Sequence, residues 1–262
     1  MSEKKKALIE MSGGVDSSVA AYLMKEGGYE CMGVTMKLMD NTDGLINGES
    51  SCCSLDDVED ARSVAHRLGM PYYVFNFADD FKDKIMKHFA ESYERGATPN
   101  PCIDCNRYMK FEKLYHRAEE LGYDYVVTGH YATVEEKDGR FLLKKAVDPS
   151  KDQSYVLYSL TQEQLSHTIF PLGKFHKTET RKIAEEQGFF MPINPTARIS
   201  ALCPTAITRA LSGASRERNI RAAILSRATE KCSADIRESS AIRSENVRDS
   251  AFRRKNRSML PR

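Results

Sequence analysis

The sequence has no run approaching ~18 consecutive apolar residues, the length that a membrane-spanning helix needs. Its charged start, M-S-E-K-K-K, has no long apolar stretch behind it, so we expect neither a membrane span nor a signal peptide. The seven cysteines are odd in number and irregular in spacing, which argues against a secreted disulfide scaffold. We therefore expect a globular cytoplasmic protein that has no membrane partner.

Two common phosphate-binding signatures are also missing from the first glycine cluster. No G-K-S or G-K-T follows it, and it lacks the G-x-G-x-x-G spacing of dinucleotide folds. The cluster reads M-S-G-G-V-D-S-S over residues 11–18, between an apolar run at 7–9 and a helical pattern at 19–25. Glycines allow close backbone approach, while serine hydroxyls and helix N-terminal N–H groups bind anions. We predict a phosphate cradle here; the alternative is a serine-capped helix after a tight turn.

Strand and helix patterns alternate through the first part of the chain. Strands separated by helices form parallel sheets, with ligand-binding loops at the strand carboxyl ends, so we predict an α/β fold with a doubly wound parallel sheet. The predicted strands are 7–9, 31–36, 72–77 and 124–128, with a hairpin at 133–145 that turns at Asp138-Gly139. The predicted helices are 19–25, 55–68, 81–93, 111–121, 161–167 and 178–187, and loops are predicted at 41–54 and 96–106.

Cys102 and Cys105 form P-C-I-D-C in the second predicted loop, which Pro99 and Pro101 fix. Two sulfurs at this spacing can reach one metal, or one thiolate can have its pKa lowered beside the other. Two cysteines cannot complete a four-ligand zinc site, so a nucleophilic or persulfide-carrying thiol, or a partial iron–sulfur site, fits better. Two small semi-buried residues remain the alternative. We interpret the adjacent Cys52 and Cys53 as structural, since neighbours on an extended chain point to opposite sides.

Two more polar groups follow predicted strands. Gly129 and His130 come directly after strand 124–128 and so should lie at the same sheet edge as the cradle, where a ligand role and a structural role are both open. Residues 148–157 read D-P-S-K-D-Q-S-Y-V-L, which either caps a following element or supplies a lysine that neutralises nucleotide or RNA phosphate.

The charge balance changes near residue 192. Residues 1–192 carry 24 basic and 31 acidic side chains, whereas residues 193–262 carry 15 basic and 6 acidic ones, and arginine replaces lysine as the main cation. All 12 tyrosines precede this change. Such a shift marks either a basic arm or an aberrant segment.

Together these features closely resemble the bacterial tRNA-specific 2-thiouridylases of the PP-loop ATP pyrophosphatase superfamily. The matching strings are M-S-G-G-V-D-S-S, G-V-T-M-K-L, T-P-N-P-C-I-D-C-N-R-Y-M-K-F, T-G-H-Y-A, K-D-Q-S-Y-V-L-Y and F-P-L-G, between residues 5 and 189. The resemblance implies cleavage of ATP between its α and β phosphates, adenylation of the 2-oxygen of the tRNA wobble uridine, and sulfur delivery from a cysteine persulfide. It implies ATP, Mg²⁺, tRNA and a persulfide-donating sulfur carrier or cysteine desulfurase as cofactors and partners.

The resemblance also assigns roles to residues. Cys105 corresponds to the nucleophile, and Cys102 to a supporting thiol or to a ligand of a possible [4Fe-4S] cluster. The implied ATP site comprises Glu10, Met11, Ser12, Gly13, Gly14, Val15, Asp16, Ser17, Ser18, Met36 and Gly129. The implied tRNA and target-base contacts are Asn100, Pro101, Cys102, His130, Lys151, Asp152 and Gln153.

Two local departures from the family pattern bear on these roles. Glu10 stands where relatives usually have a small residue, and its carboxylate would repel a triphosphate unless it points away or helps to bind Mg²⁺. Cys102 stands where some relatives have aspartate, which makes a cluster-binding variant conceivable.

A larger departure concerns the family's second cysteine, in a string similar to N-K-P-D-S-Q-D-I-C-F-V-P-D-G-D-Y. This chain has P-I-N-P-T-A-R-I-S-A-L-C-P-T-A-I-T from residue 192 onward. Residues 192–208 can be back-translated with a choice of synonymous codons whose shifted reading frame encodes the family string. That frame starts at the third base of the Pro192 codon. We therefore hypothesise a PP-loop domain over residues 1–190 and an out-of-frame, disordered basic tail over 191–262. Sulfur transfer should then fail, because the second cysteine would be encoded across the Ser200 and Ala201 codons.

Two other functions compete with this interpretation. One is another PP-loop adenylating enzyme, such as an amide-forming ligase. The other is a non-catalytic RNA-binding module that uses the basic tail as an electrostatic arm, with binding that is salt-dependent and independent of ATP and Cys105.

The frame hypothesis predicts a specific nucleotide sequence. Across codons 185–205, the gene should spell the family string in the shifted frame, including a cysteine codon that spans Ser200 and Ala201. Sequencing this stretch is the measurement, and codons that do not contain the second frame would contradict the hypothesis.

Overall fold

The central element of the computed structural model, which describes residues 4–38, 55–97 and 99–189, is a five-stranded parallel sheet. Its strands are β1 Lys6–Glu10, β2 Glu30–Lys37, β3 Tyr72–Asn76, β4 Tyr125–Val127 and β7 Thr168–Ile169, in the order β3-β2-β1-β4-β7. All the pairings are parallel. The predicted doubly wound sheet is confirmed. The strand order reverses beside β1, which places a ligand crevice at the carboxyl ends of β1 and β4.

Helices flank this sheet and bury its central strands. The helices are α1 Val15–Glu26, α2 Leu55–Arg67, α3 Ala78–Phe81, α4 Lys87–Glu94, α5 Pro101–Asp104, α6 Leu114–Glu120, α7 Gln162–Ser166 and α8 Lys177–Glu186. The main core packs Ala7 and Ile9 of β1 against α1, α2 and α8. Leu8, which alternates with them, is also fully buried, so β1 reads as an uninterrupted apolar run. None of the helices in the described ranges is long and apolar enough to cross a membrane.

The prediction of a loop over 96–106 is wrong for its second half. A continuous helix begins at Pro101 and runs through α5, the π-helical segment Cys105–Lys113 and α6. Asn100 is its N-cap, and the Asn100 side-chain oxygen accepts the backbone N–H of Cys102 at 3.0 Å. Asparagine at the N-cap followed by proline at the first helical position starts a helix, so this pair marks a helix start and not a fixed loop. Both cysteines of P-C-I-D-C therefore lie on a helix.

The predicted hairpin is confirmed as β5 Ala132–Lys137 and β6 Arg140–Lys145. Asp138 and Gly139 both have positive φ, 52° and 72°, as a two-residue turn between antiparallel strands requires. Its first residue, Ala132, joins a second core cluster with Phe111, Val156, Leu157 and Phe170. This cluster holds the helix that carries the cysteines against the 3₁₀ turn Ser154–Val156.

The other predictions on 39–54 and on the tail 191–262 lie outside the described residues. They include the polar loop 41–54, Cys52, Cys53 and the boundary of the proposed second segment. These expectations stay predictions.

Gly173, in the 3₁₀ turn Pro171–Lys174, lies against the backbone of β5. A Cβ at this glycine would lie 1.8 Å from the carbonyl oxygen of Ala132, which a side-chain rotation cannot relieve. The Gly173 carbonyl also accepts the backbone N–H of Val147 at 2.9 Å. The F-P-L-G string therefore contains a glycine because the chain behind it leaves no room for a side chain.

We predict that Gly173→Ala lowers the free energy of unfolding by about 3 kcal/mol or more, since the β5 backbone must move to admit a methyl group. Gly122→Ala is the control for adding a methyl group without a clash: a Cβ there meets open space, and its cost comes from the positive φ of Gly122, 71°. The control should cost only about 1 kcal/mol. Urea unfolding followed by circular dichroism measures both, and equal losses would show that the close approach is unimportant.

Candidate functional site

The loop between β1 and α1 is folded around its own serines. The Ser17 hydroxyl accepts the backbone N–H of Ser12 at 3.2 Å and donates to the carbonyl of Gly14 at 3.0 Å. The Ser18 hydroxyl donates to the same carbonyl at 3.0 Å. Gly14 is the N-cap of α1 and, as a glycine, makes no side-chain cap hydrogen bond to this helix end. The first-turn N–H groups of α1 are therefore available to an anion, as the predicted cradle requires.

Two glycines allow neighbouring backbones to approach this cradle. Gly13 has a φ of 73°, and a Cβ there would lie 2.4 Å from the carbonyl oxygen of Asp57 in α2. Gly129, just after β4, would place a Cβ 3.0 Å from the backbone nitrogen of Ser17. The end of β4 thus touches the start of α1, and the prediction that Gly129 and the cradle share one sheet edge is confirmed.

Three more residues predicted for the nucleotide site lie at strand or helix ends near the cradle: Met11, Val15 and Met36. Met11 and Met36 are buried at the carboxyl ends of β1 and β2. The hydroxyl of Thr35 donates to the Met11 carbonyl at 2.5 Å and accepts from the Tyr72 hydroxyl at 2.6 Å. Val15 begins α1 and is partly buried against the main core. These contacts fix the backbone on which the cradle is built.

Asp16, at the start of α1, is held by two groups that the sequence analysis missed. Its carboxylate accepts the Tyr131 hydroxyl at 3.0 Å and forms an ion pair with Lys177 of α8. The Lys177 side chain is 7% exposed, and its ammonium lies 5.4 Å from the centre of the Tyr131 ring. Burial, with added repulsion from Asp16, raises the pKa of Tyr131 well above its usual value, so the hydroxyl stays a donor.

The Glu10 side chain contacts the helix that carries the cysteines. Its carboxylate lies 3.2 Å from the ammonium of Lys110, and the two side chains are 10% and 19% exposed. Both expectations for Glu10, that its carboxylate points away from the triphosphate or that it helps to bind Mg²⁺, stay predictions. A π-helical turn is wider than an α-helical turn, so Lys110 returns near the face of Cys105, five residues earlier.

Cys102 and Cys105 are thiols on the first turns of this helix, where residues three apart share one face. Cys105 is 7% exposed and Cys102 is half-buried. Asp104 between them pairs with His88 at 2.9 Å. Within 4–38, 55–97 and 99–189, no group of three or more His, Cys, Asp and Glu side chains is arranged to hold a metal ion. The expected Mg²⁺ and the possible iron–sulfur cluster therefore stay predictions, with no site built from protein ligands alone.

His130 is buried instead of facing solvent. Its ring packs against those of Phe111 and Phe170, at centroid distances of 6.2 and 6.0 Å, and Nδ1 is 2.7 Å from the hydroxyl of Thr128. Burial and the positive charge of Lys110 lower the pKa of His130 well below its usual value, so the ring is neutral. A contact between this histidine and a ligand remains a prediction.

The predicted Lys151, Asp152 and Gln153 lie in one turn but have different surroundings. The Asp152 carboxylate accepts the backbone N–H of Ala146 at 2.9 Å and the Ser154 hydroxyl at 2.7 Å. The Gln153 side-chain oxygen accepts the backbone N–H of Tyr131 at 2.9 Å. Asp152 and Gln153 thus position the turn beside the sheet edge, whereas Lys151 is exposed.

The geometry brings the predicted residues together in two groups. The first is the cradle with Gly129 and Met36; the second is the cysteine helix, His130 and the turn 151–153. The Asn106 side chain links the cysteine helix to the 3₁₀ turn Ser154–Val156, which follows residues 151–153, by donating to the Val156 carbonyl at 3.3 Å. Tyr131 and Lys177 could not be found by local pattern, since each contacts Asp16 across a long stretch of sequence. The arrangement can bind a phosphate chain beside a pair of thiols.

Curated relatives share this sequence over about three quarters of the chain. The tRNA-specific 2-thiouridylase MnmA of Clostridioides difficile is 53% identical over 196 residues, which cover 74% of this chain and 54% of the relative. The protein of the same name from Clostridium acetobutylicum is 54% identical over 184 residues, covering 70% and 52%. The chain spans about half the length of these relatives.

One solved structure, a predicted subunit of tRNA methyltransferase from Methanocaldococcus jannaschii, covers 70% of this chain and 75% of its own. The TM-score is 0.41 and the sequence identity is 18%. The sequence profile of the tRNA methyl transferase HUP domain, by contrast, matches residues 5–197. The match covers the cradle, the cysteine helix and the turn 151–153, and the chain therefore belongs to the tRNA methyl transferase HUP domain family.

Proposed function

We propose that this chain carries the ATP-activating part of a tRNA 2-thiouridylase. The observation that carries the proposal is the position of a preformed phosphate cradle beside a helix that presents Cys102 and Cys105. The identity with relatives named tRNA-specific 2-thiouridylase supports the choice of tRNA uridine as the substrate. Mg²⁺ accompanies ATP in this proposal and is held mainly by the phosphates.

In the first step, the cradle binds the phosphates of ATP, and the 2-oxygen of the wobble uridine attacks the α phosphate. Pyrophosphate leaves, and AMP is attached to the uridine oxygen. The N–H groups at the start of α1 and the hydroxyl of Ser12 neutralise phosphate charge. Lys177 and Tyr131 hold Asp16 at the start of α1, so its carboxylate cannot turn freely towards the phosphates. Met36 and Gly129 border the nucleotide.

In the second step, sulfur replaces the activated oxygen. An oxygen bound to AMP is a far better leaving group than a carbonyl oxygen, and a thiolate is a strong nucleophile at neutral pH. Cys105, loaded as a persulfide, attacks C2 of the uridine with its outer sulfur, and AMP leaves. A second thiol must then attack the inner sulfur, which forms a disulfide with Cys105 and releases the 2-thiouridine. Asn100 and Pro101 contact the target base at the start of the helix. Cys102 supports Cys105. His130, Lys151, Asp152 and Gln153 form the tRNA-contacting part of the site, with Lys151 as its exposed cation.

Completion of sulfur transfer needs a persulfide, supplied by a sulfur carrier or a cysteine desulfurase. The family's second cysteine is not encoded in the given frame, and the residues concerned lie outside those the structure describes. We therefore propose that this chain adenylates uridine but does not complete the transfer.

The proposal predicts pyrophosphate release that depends on both ATP and unmodified tRNA. Coupled pyrophosphate detection measures it, and the chain should show no stimulation by tRNA whose wobble uridine already carries sulfur at position 2. Cys105→Ser should leave ATP binding unchanged, since Cys105 acts after activation. Pyrophosphate release that is independent of tRNA but depends on an amine acceptor would instead support an amide-forming ligase. RNA binding that is independent of ATP, with no pyrophosphate release, would support a non-catalytic binding module.

The Glu10–Lys110 pair predicts a coupled effect on ATP binding. Lys110→Ala should raise the KM for ATP about tenfold, equivalent to ~1.4 kcal/mol, because it leaves the buried Glu10 carboxylate near an anionic ligand without this lysine. Glu10→Ala in the same chain should restore the KM to within about twofold of the original. Steady-state kinetics at saturating tRNA measures the cycle.

Lys84→Ala is the matched control, since Lys84 forms a comparable contact with Glu112 at 2.5 Å but outside the cradle. It should leave the KM for ATP unchanged. If Glu10→Ala alone raises the Mg²⁺ requirement, Glu10 is a ligand of the metal and the pairing argument is wrong.

A further inference from the structure

The turn after Gln153 displays two aromatic side chains to solvent. Tyr155 and Tyr158 are 63% and 68% exposed, whereas the two residues between them, Val156 and Leu157, are 5% and 0% exposed. Burying a tyrosine ring is favourable, so two exposed rings this close together need an explanation. Val156 and Leu157 belong to the second core cluster. The turn is therefore packed onto the core through these two side chains, while both tyrosine rings are exposed to solvent.

The backbone of this turn is held by hydrogen bonds. The N–H groups of Val156, Leu157 and Leu160 donate to carbonyls three residues earlier, at 3.1 to 3.2 Å. The Asn106 side chain donates to the Val156 carbonyl at 3.3 Å, and Asn106 directly follows Cys105. The two rings are therefore attached to a rigid turn that is tied to the thiol-bearing helix.

The segment that leads into these rings exposes two lysines, while its carboxylates are hydrogen-bonded within the protein. The nearest carboxylates of the same loop turn inward: Asp148 accepts from the Ser150 hydroxyl and from the backbone N–H of Lys177, and Asp152 accepts from Ala146 and Ser154. Lys145, at the end of β6, and Lys151, four residues before Tyr155, are both exposed. Fixed aromatic rings next to lysines are the combination that binds single-stranded nucleic acid, since each base can stack on a ring while the phosphates approach the cations.

We propose that Tyr155 and Tyr158 form a stacking platform for unpaired bases of an RNA loop. The proposal rests on the function proposed above and deepens it, because the platform would hold bases that flank the one presented to Cys105. Stacking on a tyrosine ring tolerates any base, so the platform gives affinity and orientation without sequence preference. A fully paired RNA cannot use it, because its bases are stacked on each other.

The test measures binding of the full chain to a fluorescent RNA stem-loop, without ATP, by anisotropy. Tyr155→Ala with Tyr158→Ala should weaken binding about tenfold or more, because stacking on both rings is lost. Tyr155→Phe with Tyr158→Phe should stay within about twofold of the original, since phenylalanine retains the ring. Tyr73→Ala, at a tyrosine 54% exposed on edge strand β3, is the matched control and should change nothing.

Several outcomes would overturn the platform. They are unchanged affinity in the alanine variant, an equal loss in the phenylalanine variant, an equal loss for a paired RNA duplex of the same length, or no binding of the stem-loop by the original chain. Any of these results would indicate that the two rings bind something other than unpaired bases, such as a protein segment. Circular dichroism spectra confirm that each variant is folded.

The platform and the proposed reaction can fail separately. If only the reaction is wrong, stem-loop binding depends on the two rings but RNA stimulates no pyrophosphate release. If only the platform is wrong, RNA stimulates release and the alanine variant has an unchanged KM for RNA. With both correct, the alanine variant raises the KM for RNA about tenfold and leaves the KM for ATP unchanged.

Discussion

Two lysines from different helices neutralise the two carboxylates that flank the phosphate cradle. Lys177 of α8 pairs with Asp16 after the glycines, and Lys110 of the cysteine helix pairs with Glu10 before them. A carboxylate left unpaired in a low-dielectric environment is costly, and beside a triphosphate it would also repel the ligand. Both of these carboxylates are therefore neutralised by helices that lie far from the cradle in sequence. The charge of the cradle is set by tertiary structure and not by its own eight residues.

The contacts of these two lysines also position the end of β4 and the helix that carries the cysteines. Lys177 is buried against Tyr131, which follows Gly129 and His130 directly in the chain, so the docking of α8 also fixes the end of β4. Lys110 lies on the π-helical segment that starts at Cys105, so its contact with Glu10 fixes the rotation of the thiol-bearing helix. Phosphate binding and thiol placement are coupled through one strand, β1. Preorganised charges of this kind would need no rearrangement in the proposed reaction.

The sequence predicts the sheet and the cradle well because both depend on local patterns. β1 and β2 are apolar runs buried on both faces, and Gly13 needs a positive φ that only glycine adopts easily. β7, only two residues long, carries too little pattern to be recognised. The start of the cysteine helix was wrongly predicted because proline and asparagine favour both loops and helix starts. The contacts of Lys110 and Lys177 span about 100 and 161 positions and leave no periodic signal.

The position of Glu10 follows from the same electrostatic requirement. A carboxylate at the end of β1 is excluded from the cradle by the charge of any phosphate ligand, and it cannot turn into the apolar core without a partner. Lys110 is the cation that resolves both constraints, since it reaches the strand end from a helix that the site needs in any case. The pair therefore makes the acidic residue part of the link between cradle and thiols. With a small residue at position 10, this ion pair would be lost, and the end of β1 would contact the cysteine helix only through packing.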